Sequence, residues 1–147
     1  MSLSHDNLLF NRVKTNFDRQ GLMHHLGVEL VEVKPGEVTL RMPFNQHLTQ
    51  QHGYFHAGGT SAVADSAGGY AGYTLMPEGA GVLTVEFKIN LMAPAQGEYL
   101  EAIGKVIRSG RTLTITQVDV FAIEQTKRTQ VALVQQTLIA LPDKDSH

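Results

Sequence analysis

Asp65 is the residue of this chain whose type and surroundings most need a chemical explanation. It is the only formal charge between Arg41 and Glu78. On a 3.6-residue wheel it shares its face with Gly58, Ser61, Ala62, Gly68, Gly69 and Gly72, all of them small. A carboxylate taken out of water without partners is costly, so a lone one on a bare face has a reason to be there. Two readings stand side by side. In the first, the small residues let a helix pack closely against another helix or a sheet, and Asp65 bonds a nearby backbone group. In the second, they make room for a ligand, with Asp65 aimed at it as general base or nucleophile. Both hold together if a self-packing face also forms a site shared between subunits.

The residues just upstream supply the complementary chemistry. Ala57, Gly58 and Gly59 open the helix, where backbone N–H groups lack partners and the macrodipole is positive. Small side chains let a ligand oxygen come close, so these amides can polarise a carbonyl and hold the oxyanion formed when it is attacked. Asp65 lies two turns further on, about 10 Å at 1.5 Å per residue. That is too far to touch the same atom within one subunit. It suits a symmetric dimer in which one subunit supplies the amides and the other the acid.

The approach, residues 45–55, is a polar loop without period. Its Tyr54 and Phe55 either line a ligand pocket or anchor the loop. His47, His52 and His56 are four or five residues apart, but no ligand pattern of recognised spacing accompanies them, so no metal is expected. His56 is expected to brace the loop by hydrogen bonding rather than to transfer protons. The absence of a Gly-x-Ser-x-Gly elbow or a phosphate loop leaves a Ser nucleophile and nucleotide hydrolysis unsupported.

These residues sit on a helix that propensity alone does not explain. Ten of the nineteen residues from 57 to 75 are Ala or Gly, and five of those are Gly. Each interior Gly costs roughly 1 kcal/mol relative to Ala, so tertiary wrapping must hold the segment. Upstream, residues 3–20 place Leu8, Leu9, Val13 and Phe17 at helical spacing, with Ser4 or Asp6 as N-cap, Gly21 as a stop and the charges on a solvated face. Residues 27–34 and 38–44 read as a hairpin about Pro35-Gly36, with Val38, Leu40, Met42 and Phe44 alternating. Downstream, Leu83, Val85, Phe87, Ile89 and Leu91 alternate with Thr84, Glu86, Lys88 and Asn90 in the clearest strand of the chain. Three more strands follow at 99–108, 112–123 and 129–141, separated by short turns. The fold class is therefore α+β: a six-stranded antiparallel sheet, strongly curved around one long small-residue helix, plus a short N-terminal helix.

Bulk properties narrow the function. A chain of 147 residues suits one domain, here 1–147, with 1–26 as an N-terminal helical segment and 142–147 as a frayed tail. Net charge is −2 with no basic run, which argues against nucleic acid or an anionic membrane as partner. Zero Cys excludes disulfides and a Cys nucleophile. No signal-like start or membrane-length apolar run is present, so a cytoplasmic protein is expected.

Three patterns in order then carry a resemblance: the helix with its approach loop, the 84–95 strand ending in Met-Ala-Pro-Ala, and the Gly-Arg-Thr turn at 110–112. From about residue 27 to 141 the chain resembles the hotdog-fold acyl-CoA thioesterases of the phenylacetate-degradation type. That family has a Gly-x-x-His-Gly-Gly segment and a helical Asp nine residues after the His, matched here by Gly53, His56 and Asp65, with Gly58 also implied at the substrate. The resemblance implies hydrolysis of a fatty or aryl acyl-CoA to free acid and CoA, with CoA as part of the substrate and no separate cofactor. Asp65 is then base or nucleophile, the residue-57 amide polarises the carbonyl, and Thr84 falls where a hydroxyl helps position water. It also implies that Lys105, Arg108 and Arg111, around the Gly110 turn, meet the nucleotide end of CoA. Two departures stand out: Ala57 replaces the first Gly of the Gly-Gly pair, and Gln50 replaces an Asn, with Gln51 as the alternative working amide. A homodimer with shared sites, or a dimer of dimers, is the expected assembly. The rival readings on the same fold are a non-catalytic acyl-CoA binding or sensing module, and a hydratase, for which no Asp-x-x-x-x-His signature stands near Asp65.

Overall fold

The computed structural model describes residues 5–142. In chain order these form α1 (His5–Phe17), α2 (Gly21–His25), β1 (Glu29–Lys34), β2 (Glu37–Pro43), a 3-10 turn (Gln46–Leu48), α3 (Ala57–Tyr73), β3 (Gly81–Leu91), β4 (Tyr99–Ser109), β5 (Leu113–Glu124) and β6 (Lys127–Leu141). The six strands make one antiparallel sheet in the order β1-β2-β4-β5-β6-β3. The sheet curves around α3, which touches every strand from β2 to β6. This is the α+β architecture predicted from sequence.

The wrapping explains the poor helix former. A Cβ on Gly72 would run into the Leu138 side chain, and one on Gly68 would run into Gln136 and lie 2.8 Å from Thr116 Oγ1. The sheet reciprocates. A Cβ on Gly104 of β4 would collide with the Ala67 carbonyl and sit 2.7 Å from the Gly68 nitrogen. Helix and sheet therefore meet backbone to backbone, and the packing of Val63, Ala64, Ala67 and Ala71, all fully buried, depends on that approach. Because the obstacle at Gly104 is backbone, it has no rotamer to escape into. Gly104→Ala is expected to destabilise the fold by about 1–3 kcal/mol, measured as a lowered urea midpoint at unchanged slope.

On the other side of the helix lie the N-terminal elements. Val13, Phe17 and Met23 are buried in the same core as Val38, Leu40 and Met42 of β2. The helix expected over 3–20 stops at Phe17, and Gly21 does not end it but opens the separate turn α2. Met23, only 1% exposed, accounts for the break: a straight α1 would not bring it into the core. Gly27, at φ +72°, then turns the chain into β1. The N-cap expected at Ser4 or Asp6 rests on side chains outside the described residues, as do residues 143–147 of the tail. Arg12 is not part of a solvated face. Its guanidinium lies 4.3 Å from the Tyr73 ring centroid and donates to the carbonyls of Met76 (3.2 Å) and Pro77 (3.1 Å), tying α1 to the end of α3.

The strand that alternates most clearly in sequence is the sheet's edge. A bulge between Thr84 and Glu86 breaks its register against β6. Thr84, Phe87, Ile89 and Leu91 oppose Leu138, Gln136, Val134 and Ala132, the β6 residues that face α3. Leu83 opposes Ile139 and so points the other way. Leu83, Val85, Phe87 and Leu91 remain 44–57% exposed. A long apolar edge with one unpaired row of backbone groups is a surface built for pairing.

Candidate active site

The amide end of the site starts with the loop before α3. Phe55 is buried, donates its N–H to the Ala95 carbonyl (2.9 Å), and packs edge-on to Phe44 at 5.6 Å. It anchors the loop and, with Tyr54 and Gln50, lines a cleft of about 530 Å³ at the helix start. Gln50 turns its Oε1 back to accept from the backbone N–H groups of His52 (2.6 Å) and Tyr54 (3.3 Å), and its amide nitrogen makes no hydrogen bond among the described residues. Gln51 is exposed and borders neither this cleft nor the one at Asp65. Gly53 takes φ +86°, a backbone conformation that explains why it is glycine.

His56 is the N-cap of α3. Its Nδ1 accepts from the Gly58 N–H (2.7 Å), and its carbonyl accepts from Gly59 (3.0 Å) and Thr60 (3.1 Å). With Nδ1 an acceptor, the neutral ring carries its proton on Nε2. A Cβ on Gly58 would lie 3.0 Å from that same Nδ1, so the folded-back imidazole requires a bare residue there. Four amides lack partners at any helix start. Here three are occupied, and among the described residues the Ala57 N–H alone is left without an acceptor, at the wall of the cleft. Gln125 is the only non-glycine at positive φ among the described residues, so Ala57 bears its methyl in ordinary helical backbone.

The acid end lies eight residues along α3, about 12 Å at 1.5 Å per residue. Asp65 is half-buried, and its Oδ1 accepts from Thr84 Oγ1 (2.6 Å) and Gln136 Nε2 (2.6 Å). Among the described residues Oδ2 takes no hydrogen bond. Asp65 borders a second cleft, of about 370 Å³, shared with Thr84, Ser66, Gly69 and Tyr70. A Cβ on Gly69 would meet nothing within 4 Å. The bare face of the helix thus divides: Gly68 and Gly72 admit the sheet, and Gly69 leaves open space beside the carboxylate. The close-packing reading holds at Gly68 and Gly72, while the Asp65 carboxylate bonds the side chains of Thr84 and Gln136 rather than a backbone group.

Above Asp65 this cleft is closed by a polar cluster that sequence patterning did not flag. Gln20 Nε2 donates to the Tyr70 hydroxyl (2.8 Å), which donates to Asn16 Oδ1 (2.9 Å), while Ser66 donates to Gln20 Oε1 (3.4 Å). Burial pushes the Tyr70 phenol above its usual range against the opposing hydrogen bond from Gln20, keeping it a donor. Gln136 and Thr116 were missed as well. Their signal was present: Gln136 interrupts the apolar alternation Val134, Leu138 on β6, a polar residue in a buried row.

The two clefts share no lining residue, but both are bordered by β3. Leu91 flanks the amide cleft, and Val82 and Thr84 flank the acid cleft. The cationic residues expected at the substrate stand apart from both. Lys105 is exposed and paired with Glu37 (3.8 Å) across the β2–β4 ladder. Arg108 and Arg111 are exposed beside the β4–β5 turn and form no ion pair among the described residues. Leu113, just past that turn, pairs with Ile139, which also pairs with Leu83. The turn therefore lies at the acid-cleft end of the sheet. No group of three or more His, Asp or Glu, the loop residues His47, His52 and His56 included, is placed to hold a metal among the described residues. No helix among them is long and apolar enough to cross a membrane.

A small-residue helix clasped by a curved six-stranded antiparallel sheet defines the hotdog fold. The chain belongs to the thioesterase superfamily, whose family profile matches residues 52–129, and it is a thioester hydrolase. A solved thioesterase family protein from Silicibacter pomeroyi superposes with a TM-score of 0.88 at 44% identity, over 90% of this chain and 98% of that one. The PaaI protein of the E. coli phenylacetic acid degradation operon superposes with a TM-score of 0.84 over 95% of this chain and 98% of its own, and at 17% identity shares the fold. Human acyl-coenzyme A thioesterase 13 is 31% identical over 93 residues, 63% of this chain and 66% of that protein.

Proposed function

We propose that the protein is an acyl-CoA thioesterase, hydrolysing a fatty or aryl acyl-CoA at a site shared by two subunits. The observation that carries this reading is the placement of the Ala57 amide and the Asp65 carboxylate at opposite ends of one exposed edge strand. Antiparallel pairing of β3 with its own copy sets the Leu91 end of one strand beside the Thr84 end of the other. The amide cleft of one subunit then adjoins the acid cleft of its partner. The apolar, half-exposed residues of β3 support such a pairing, and so does the inability of the two groups to meet within one chain.

In that site the thioester carbonyl oxygen accepts the Ala57 N–H, at the positive end of α3, with the Gln50 amide nitrogen near it. Asp65 acts through Oδ2. As base it takes a proton from water while the water oxygen attacks the carbonyl carbon; as nucleophile it attacks that carbon itself and the acyl carboxylate anhydride is then hydrolysed. Either way the C–S bond breaks and the CoA thiolate leaves. Thr84 and Gln136 hold Oδ1. A thiol-release assay over short, medium, long and aryl acyl-CoAs tests the reading, and tight binding of all of them without thiol release overturns it.

Arg108 and Arg111 complete the reading as the contacts for the phosphates of CoA, with Lys105, already paired to Glu37, the weaker of the three. Exposed ion pairs contribute about 0.2–1 kcal/mol. Arg108→Ala and Arg111→Ala are therefore expected to raise KM for acyl-CoA by a factor of roughly 1.5–5 each at unchanged kcat, the effect shrinking with added salt. An acyl-pantetheine lacking the nucleotide should show no such change.

A further inference from the structure

The structure assigns Gln136 of β6 as the positioning residue of the acid, an inference that rests on Asp65 being the catalytic carboxylate of thioester hydrolysis. Gln136 is 1% exposed and sits in the middle of the sheet's helix-facing row. A buried amide there must satisfy both its ends. Its Nε2 donates to Asp65 Oδ1 (2.6 Å) and reaches the Asp65 carbonyl (3.1 Å) and Thr84 Oγ1 (3.2 Å). Its Oε1 accepts from Thr116 Oγ1 (2.7 Å) on the neighbouring strand.

The orientation of the amide follows from chemistry. An ionised carboxylate only accepts, so the end facing Asp65 is the NH2, and the carbonyl end faces the Thr116 hydroxyl. The consequence for Asp65 is a fixed rotamer. With Thr84 and Gln136 both on Oδ1, that oxygen is held in place, and Oδ2 is the one left without a hydrogen bond among the described residues, on a side chain that borders the cleft with Gly69 and Thr84. Gln136 thus touches no substrate and acts through Asp65 and Thr84.

Gly68 belongs to the same device. A Cβ at that position would fall on Gln136 Oε1, so the glycine that weakens the helix also keeps the seat of this amide. The arrangement joins three elements far apart in sequence: Asp65 on α3, Thr84 on β3, and the Thr116–Gln136 pair across the β5–β6 ladder. A general packing role would have been met by Leu or Val, as at Leu138 and Val134 on either side. A buried amide satisfied at both ends and aimed at the acid marks a role in orientation.

Gln136→Met, close in length and volume but without a donor, is expected to lower kcat on the order of 10²-fold, as a misplaced reacting group does, with KM on acyl-CoA within a factor of about two. In the background of Asp65→Asn the same change should add nothing further, because the two act as one unit. A folded Gln136→Met with wild-type kcat, or with an equal loss in both backgrounds, overturns the assignment. Where Gln136→Met does not fold, Thr116→Val serves instead: a kcat loss at constant KM supports the assignment, and unchanged kcat overturns it. Full hydrolysis by Asp65→Asn overturns the reading of Asp65 and this inference with it. An inactive Asp65→Asn beside a fully active Gln136→Met overturns this inference alone.

Discussion

Asp65→Asn is expected to hydrolyse acyl-CoA with kcat lowered by ~10²–10⁴-fold, the usual loss for a positioned general base. The substitution is nearly isosteric, and the Asn carbonyl oxygen can still accept from Thr84 and Gln136, which hold Oδ1 at 2.6 Å each. What disappears is the capacity of the second oxygen to take a proton or to attack. KM should therefore change little and the unfolding midpoint should stay near that of the wild type, so that the loss appears in kcat. Thiol release under saturating acyl-CoA, beside a thermal melt of the same preparation, measures both. Near-wild-type turnover by the folded variant would remove the acid from the mechanism and leave the Ala57 amide without a partner.

The second large effect concerns the edge strand. Val85 and Phe87 are 57% and 44% exposed on β3 and line neither cleft. Replacing both with Asp puts unpaired charges into the proposed β3–β3 seam of each subunit. Leaving a charge buried and unpaired costs about 3–5 kcal/mol, and about 1.4 kcal/mol is a factor of ten in an equilibrium constant. The dimer should dissociate at micromolar protein by sedimentation velocity. Activity should fall with it toward the level of Asp65→Asn, since the acid of one copy no longer meets the amide of the other. A monomeric double variant that keeps its kcat would refute the shared site, although both clefts and every hydrogen bond described within one chain would be intact.

Local patterns made much of this molecule legible before any coordinates. The 3.6 and 2.0 periods placed α3 and the strands to within a few residues, because side-chain direction follows directly from backbone type. The run of Gly and Ala demanded a wrapping sheet, and Gly68, Gly72 and Gly104 show that contact from both sides. Asp65 stood out because a charge in an apolar stretch of that length is rare and costly. The failures share one cause. Gly21 read as a stop because a breaker residue is a local signal, whereas the burial of Met23 that shapes α2 is a tertiary one. Arg12 read as solvated because nothing nearby in sequence announces Tyr73.

What the amino-acid order determined by itself was the type of each element, the small-residue face and the acid upon it. Tertiary structure alone decided which side chains complete the site. Asp65 and Gln136 are 71 residues apart, and their meeting depends on the register of β6 against β3 and β5. A slip of one residue would turn Gln136 to the outer face of the sheet and bring a neighbour inward. No local period encodes that register; the packing of the whole sheet around α3 sets it.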